Sequence, residues 1–137
     1  MGAIIETALY VEDLGRSMDF YQRVLRLIPA TAPIERMCAL RVNDDQVLLL
    51  FKKGGSVEPI VTPFGTIPPN DGAGTLHLAL SVPPTDFDAW QDRLRSFGVE
   101  IESVVAWPEG GRSIYFRDLD EHLIELKTSN WYGKALG

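Results

Sequence analysis

An α+β fold made of one β-α-β-β-β unit used twice is predicted by three observations. Two amphipathic helical stretches each follow a strand of alternating character. Each helix is trailed by shorter strand-like runs. A segment rich in glycine and proline separates the two halves.

Successive strand side chains point to opposite faces of a sheet, so every second residue shares a face. In the opening run "IIETALYV", Ile5, Thr7, Leu9 and Val11 face one way, and Ile4, Glu6, Ala8 and Tyr10 face the other. The next stretch, "DLGRSMDFYQRVL", sets Leu14, Met18, Tyr21 and Leu25 on one stripe at helical spacing, with Asp13 placed to cap its N-terminus. The runs "MCALRV" and "QVLLLF" complete the first half as strands.

The second half repeats the order. "TLHLALSV" has an apolar face of Leu76, Leu78, Leu80 and Val82 opposite Thr75, His77, Ala79 and Ser81. In "TDFDAWQDRLRSFG" the stripe is Phe87, Trp90, Leu94 and Phe97, Thr85 or Asp86 can cap it, and Gly98 can end it. Phe87, Trp90 and Phe97 are expected in the core. "VEIESVV", "RSIYFRD" and "HLIELK" follow as strands: Ile114, Phe116, Ile124 and Leu126 form the apolar side, with Ser113, Tyr115, Arg117, Leu123, Glu125 and Lys127 on the other. Superposing Glu6 on His77 also aligns Ala8 with Ala79, Leu9 with Leu80 and Val11 with Val82, which is the mark of an internal repeat. The modules are expected at about residues 1–53 and 75–137. The linker, about residues 54–74, is expected to be irregular over most of its length, because five of the twelve glycines and four of the nine prolines fall between Lys53 and Thr75.

A chain of 137 residues, 45% hydrophobic and 23% charged, buries one good core or at most two small units. The net charge of -6 leaves no basic stripe for a phosphate backbone, so no nucleic-acid partner is expected. The longest apolar run, residues 47–51, is far too short to span a bilayer, and the N-terminus carries neither a leader pattern nor a myristoylation signal. The single cysteine, Cys38, cannot form an intrachain disulfide, so a cytoplasmic location is expected.

Glu6, His77 and Glu125 interrupt three apolar runs on the polar parity of their strands, a pattern that points to a divalent metal site. Two carboxylates and a neutral imidazole would cancel the ion's charge, and such a set suits Mn, Ni, Fe, Co, Zn or Mg better than an ion that seeks thiolates. Each residue also has a plainer reading. Glu6 could sit at a sheet edge in water, His77 could be a hydrogen-bonded core histidine, and Glu125 could pair with Lys127 or Arg117. His122, in a turn and off the ligand parity, is expected in solvent. Trp107, Trp131 and Tyr132 are expected over an interface or the mouth of a site.

The stretches "ETALYVEDLGRSMDFYQRVL" and "GRSIYFRDLDEHLIELK", with metal-competent residues on equivalent strands, resemble the vicinal oxygen chelate superfamily, which includes glyoxalase I, fosfomycin-resistance thiol transferases, extradiol dioxygenases and bleomycin-resistance binding proteins. The resemblance implies a cupped, mixed eight-stranded sheet with helices on its outer face, and a homodimer. It also implies a metal-dependent enzyme, a lyase, transferase or dioxygenase, that takes a small oxygenated substrate chelated by two adjacent oxygens. Metal ligands would be Glu6, where the family commonly has His, with His77 and Glu125. A carboxylate that leaves the metal to take a proton, Glu6 or Glu125, would be the catalytic group. Tyr115 resembles a tyrosine that contacts anionic substrate in fosfomycin-resistance proteins; Arg117 could pair an acid group and Phe51 could form an apolar wall. Two departures stand out. Leu49 occupies the position matching Glu125 in the first half, where some glyoxalases keep a carboxylate, and the closing turn carries Leu119 and Glu121 where the family has Pro and Gly. The rival reading is a metal-free protein that binds a drug or metabolite, like the bleomycin-resistance proteins.

Overall fold

The computed structural model describes residues 1–108 and 110–128; Trp131 and Tyr132 lie outside the described residues. The chain forms two compact units, Met1–Gly74 and Thr75–Gly137.

In the first unit, β1 (Glu6–Val11) leads into α1 (Leu14–Arg23), followed by β2 (Ile28–Pro29), β3 (Met37–Arg41) and β4 (Val47–Lys52). The sheet order is β1-β4-β3-β2, with β1 parallel to β4 and the other pairs antiparallel. Asp13 caps α1, its side chain accepting a hydrogen bond from the Arg16 N–H, as the sequence indicates. The helix ends at Arg23, and Arg26 beyond it takes a left-handed conformation at φ 61°. The back face of the sheet, Leu9, Val11, Cys38, Leu40, Leu48 and Leu50, is fully buried, and so is Tyr21 from the helix.

The second unit repeats that plan. It contains β7 (His77–Ser81), a 3-10 turn (Pro84–Asp86), α2 (Phe87–Ser96), β8 (Ser103–Ala106), β9 (Arg112–Arg117) and β10 (Leu123–Lys127), in the sheet order β7-β10-β9-β8. The parallel pair aligns Ala79 with Glu125, just as β1 and β4 align Ala8 with Leu49. Leu49 is therefore the positional equivalent of Glu125 in register as well as in sequence. The apolar back holds Ile114, Phe116, Ile124 and Leu126, all essentially inaccessible to solvent, with Phe87 and Leu94 of α2 equally buried. Gly98, at φ 71°, ends α2: its N–H bonds the Arg95 carbonyl at 2.9 Å while the Val99 N–H bonds the Leu94 carbonyl at 2.9 Å, a pairing that satisfies the last helical carbonyls.

The expectations for Phe97 and His122 need correction. Phe97 is 39% exposed and does not belong to the core, because α2 closes there and the Arg93 guanidinium covers its ring instead, 4.9 Å from the centroid. The 54–74 linker is irregular over most of its length, with one short hairpin of β5 (Ile60–Thr62) and β6 (Gly65–Ile67). Its turn uses Pro63 and Gly65 as turn residues, tied by a Thr62 hydroxyl that donates to the Gly65 carbonyl at 2.7 Å. His122, expected in solvent, is wholly buried. Its main-chain N–H bonds Asp118 at 2.9 Å, and its Nδ1 accepts from the Leu76 N–H at 2.9 Å. That imidazole joins the closing turn to the segment entering β7, a backbone-satisfying task that buried polar groups commonly perform.

In the closing turn Glu121 adopts φ 64°. A side chain there crowds the backbone at a cost of about 1 kcal/mol, which glycine avoids. Glu121→Gly is accordingly expected to raise stability by no more than roughly 0.6 kcal/mol, once the roughly 0.4–1 kcal/mol cost of glycine's greater flexibility in the unfolded chain is offset. The midpoint of urea unfolding measures it, and a lower midpoint for the variant would show that the turn is not strained.

Candidate metal centre

The front face of the second unit collects its polar residues by alternation. His77 and Glu125 lie on adjacent strands, and the His77 Nε2 stands 3.2 Å from the Glu125 Oε2. Cross-strand pairing sets Tyr115 beside Glu125 and Ser113 beside Lys127. The Glu125 side chain is nearly buried, whereas His77 is half exposed.

Each end of this pair is held from behind. The His77 Nδ1 lies 2.9 Å from the Leu123 carbonyl, which can only accept, so Nδ1 carries a proton and the ring turns its Nε2 toward Glu125. Glu125 Oε1 accepts a 2.5 Å hydrogen bond from the Ser113 hydroxyl, which itself accepts from the Trp107 indole N–H at 2.7 Å. Lys127 Nζ is 3.7 Å from the same oxygen and rests 4.6 Å from the centre of the Trp107 ring. The buried carboxylate is thus compensated on one oxygen, while the other faces His77 Nε2 at a distance that a proton or a cation between them accounts for.

The chemistry of this donor set fits a divalent ion. Imidazole nitrogen and carboxylate oxygen suit borderline and harder first-row metals, and a histidine that donates its second N–H to a carbonyl is oriented as metal-binding histidines usually are. His77 and Glu125 supply two donors. Among the described residues no three His, Cys, Asp or Glu side chains converge as a complete metal cluster. Glu6 lies exposed at the start of β1, in the position of the first unit that corresponds to His77.

Tyr115 stacks near His77, ring centres 6.4 Å apart. Its hydroxyl is held above the ordinary tyrosine value, chiefly by burial, then by the negative charge of Glu125 and a hydrogen bond with it, while a hydrogen bond with Ser113 acts the other way. The phenol therefore stays protonated, and a donor, throughout the neutral range. Arg117 shares this face, but its Nε bonds Glu102 at 2.9 Å and its Nη1 bonds the Glu121 carbonyl at 3.1 Å. That pairing lowers Glu102, mainly through the hydrogen bond from Arg117. Phe51 lies on the front of the first unit's sheet, nearly buried, stacked against Tyr10 with ring centres 5.8 Å apart. The Tyr10 hydroxyl donates to the Asn70 carbonyl, and Gly72 passes so close that a Cβ there would fall 2.8 Å from the ring. The linker thus lies directly on the Tyr10 ring.

Sequence reading identified His77, Glu125, Tyr115 and the face shared by Ser113. It set Trp107 over an interface or the mouth of a site, not behind Glu125, and took Lys127 only as a possible ion-pair partner of Glu125. The signal for Lys127 was its parity with Glu125; nothing local marks Trp107, which reaches Ser113 only because β8 and β9 pair antiparallel.

Comparison with known proteins gives a consistent picture. The sequence model of the Glyoxalase/Bleomycin resistance protein/Dioxygenase superfamily matches residues 3–126. A lactoylglutathione lyase from Agrobacterium tumefaciens superposes with a TM-score of 0.84 at 27% identity, covering 97% of this chain and 98% of that one. The fosfomycin resistance protein FosX of Listeria monocytogenes is 45% identical over 51 residues, 36% of this chain and 38% of that protein. The match therefore spans little more than a third of that relative. A crystal structure of FosX from the same species superposes with a TM-score of 0.70 at 20% identity over 96% of this chain and 97% of that one, a likeness of fold. No helix among the described residues is long and apolar enough to cross a membrane. On the match across residues 3–126, this chain belongs to the Glyoxalase/Bleomycin resistance protein/Dioxygenase superfamily.

Proposed function

We propose that the protein is a metal-dependent enzyme of the vicinal oxygen chelate type acting on a small oxygenated molecule, with His77 and Glu125 as metal ligands and Glu6, from this chain or a second copy, as the third. The observation that carries the reading is the 3.2 Å approach of His77 Nε2 to Glu125 Oε2 on adjacent strands, each side chain fixed from behind by a hydrogen bond. A bound divalent ion would supply Lewis-acid polarisation of a substrate carbonyl, oxyanion or epoxide.

The protein's own groups have separable tasks. Glu125 is pinned through Oε1 by Ser113 and Lys127 and serves best as a fixed anchor. Glu6 is exposed and has greater freedom, which makes it the better candidate for moving a proton. Tyr115 keeps its proton and offers an O–H donor beside Glu125. Arg117 is engaged by Glu102, so a substrate acid would have to displace that carboxylate to use it. Leu49, where Glu125's counterpart would stand, contributes no base. Fosfomycin and lactoylglutathione, the molecules named in the similar proteins, are the first substrates to assay. A homodimer in the cytoplasm is part of this proposal.

The test is thermal unfolding of metal-stripped protein with and without Mn, Ni, Co, Zn or Fe(II). An ion that binds only the folded state at a hundred times its dissociation constant stabilises it by about 2.7 kcal/mol, which raises the melting temperature by several degrees. That rise is expected in wild type and absent in His77→Ala. No rise with any ion would leave His77 and Glu125 as an imidazolium–carboxylate pair and favour the metal-free binding protein.

A further inference from the structure

Trp107, Ser113 and Lys127 form a connected group behind Glu125, beyond the ligands themselves. Ser113 is completely buried, and its hydroxyl is committed in both directions: it accepts from the Trp107 indole at 2.7 Å and donates to Glu125 Oε1 at 2.5 Å. With the indole N–H filling one lone-pair direction, Glu125 Oε1 at 2.5 Å is the acceptor for the hydroxyl hydrogen. Lys127 adds a positive charge 3.7 Å from the same oxygen and is itself steadied over the Trp107 ring. The Ser113 hydrogen bond and the Lys127 charge both act on Oε1.

We propose that Trp107 and Ser113 are positioning residues that lock Glu125 through Oε1, so that the carboxylate presents Oε2 alone beside His77 and the affinity of the centre for a divalent ion depends on an indole N–H two hydrogen bonds away. The lock rests on the proposed metal-binding role only for its effect on affinity; its geometry stands without a metal. Outer groups that orient a ligand usually change metal affinity ten- to a hundredfold when removed. Trp107 acts through Ser113, so the two residues form one device and their effects on affinity cannot add.

The experiment uses the full chain and zinc as the probe, with two readouts. In zinc titrations against a competing chelator, Ser113→Ala and Trp107→Phe are each expected to weaken binding by about ten- to a hundredfold. The double variant should be no weaker than Ser113→Ala alone, because phenylalanine keeps the ring under Lys127 and removes only the N–H. In metal-free protein, the Trp107 indole N–H resonance, identified by its loss in Trp107→Phe, should shift and lose exchange protection in Ser113→Ala. An indole resonance unmoved by Ser113→Ala would overturn the lock whether or not zinc binds, and so would losses of affinity that add fully in the double variant. Wild type that binds neither zinc nor any of the other ions, Mn, Ni, Co or Fe(II), while the indole resonance does move would overturn the affinity role and the metal reading, leaving the Oε1 lock supported. Trp107→Phe, at a partly exposed ring, keeps the test available should Ser113→Ala fail to fold.

Discussion

Phe116→Ala is expected to lower the free energy of unfolding by about 3–5 kcal/mol, a large share of the 5–15 kcal/mol typical of a small protein. Phe116 is completely inaccessible on the apolar back of the second unit and pairs across β9 and β10 with Ile124, which is equally buried. Removing the ring forfeits its transfer from water and leaves a cavity that packed strands cannot close. Leu78→Ala is a useful contrast. Leu78 lies on the same side of β7 but is only half-buried, so its cost should fall at or below about 2 kcal/mol, the low end for such truncations. Urea unfolding followed by circular dichroism gives both numbers. A loss below about 1 kcal/mol for Phe116→Ala would mean that the apolar parity of β9 has been assigned to the wrong face.

That parity shows why so much of the fold can be read from sequence. The alternation in "RSIYFRD" and "HLIELK" places Ile114, Phe116, Ile124 and Leu126 inside, and they are among the most buried residues of the chain. The internal repeat was legible for the same reason: aligning Glu6 with His77 and Leu49 with Glu125 used offsets that the parallel registers of β1 with β4 and β7 with β10 reproduce. Glu121 was legible through chemistry, since a turn that ordinarily takes glycine imposes its φ of 64° whatever residue occupies it.

What remained hidden depends on contacts between distant residues. His122 breaks the parity rule because the chain turns there, and only the fold brings the Leu76 N–H within 2.9 Å of its ring. The β5–β6 hairpin was masked by its own turn residues, since proline and glycine signal a turn without saying whether strands flank it. Strands of three residues carry too little periodicity to reveal themselves. The Trp107–Ser113–Glu125 chain crosses three strands, and no local pattern records a hydrogen bond between residues 107 and 113 or between 113 and 125. Sequence supplied the donor types of the candidate site; pairing supplied their partners.

Glu125→Gln separates charge from shape at that site. The amide keeps the size of the carboxylate and, through its oxygen, an acceptor for Ser113, but it removes the negative charge beside His77 and leaves Lys127 uncompensated. A divalent ion is expected to bind at least about a hundredfold more weakly, a loss of ~2.7 kcal/mol. The variant also has a readout that needs no metal. Tyr115 is raised chiefly by burial, and Glu125 adds to that through its charge and a hydrogen bond, so neutralising position 125 should bring the tyrosine's ionisation back toward the ordinary value near 10.0 without reaching it. Because the folded value lies above the unfolded one, the wild-type contribution from the neutral phenol is full below pH 10 and is lost as pH rises through the folded value; in Glu125→Gln that loss begins at the same pH but ends earlier and is smaller. Tyrosinate absorbance during an alkaline titration of metal-free wild type, Glu125→Gln and Tyr115→Phe, which identifies the Tyr115 contribution, measures the change. An unchanged Tyr115 titration in Glu125→Gln would mean that the carboxylate does not act on the phenol, and the front face of β9 and β10 would then have to be redrawn.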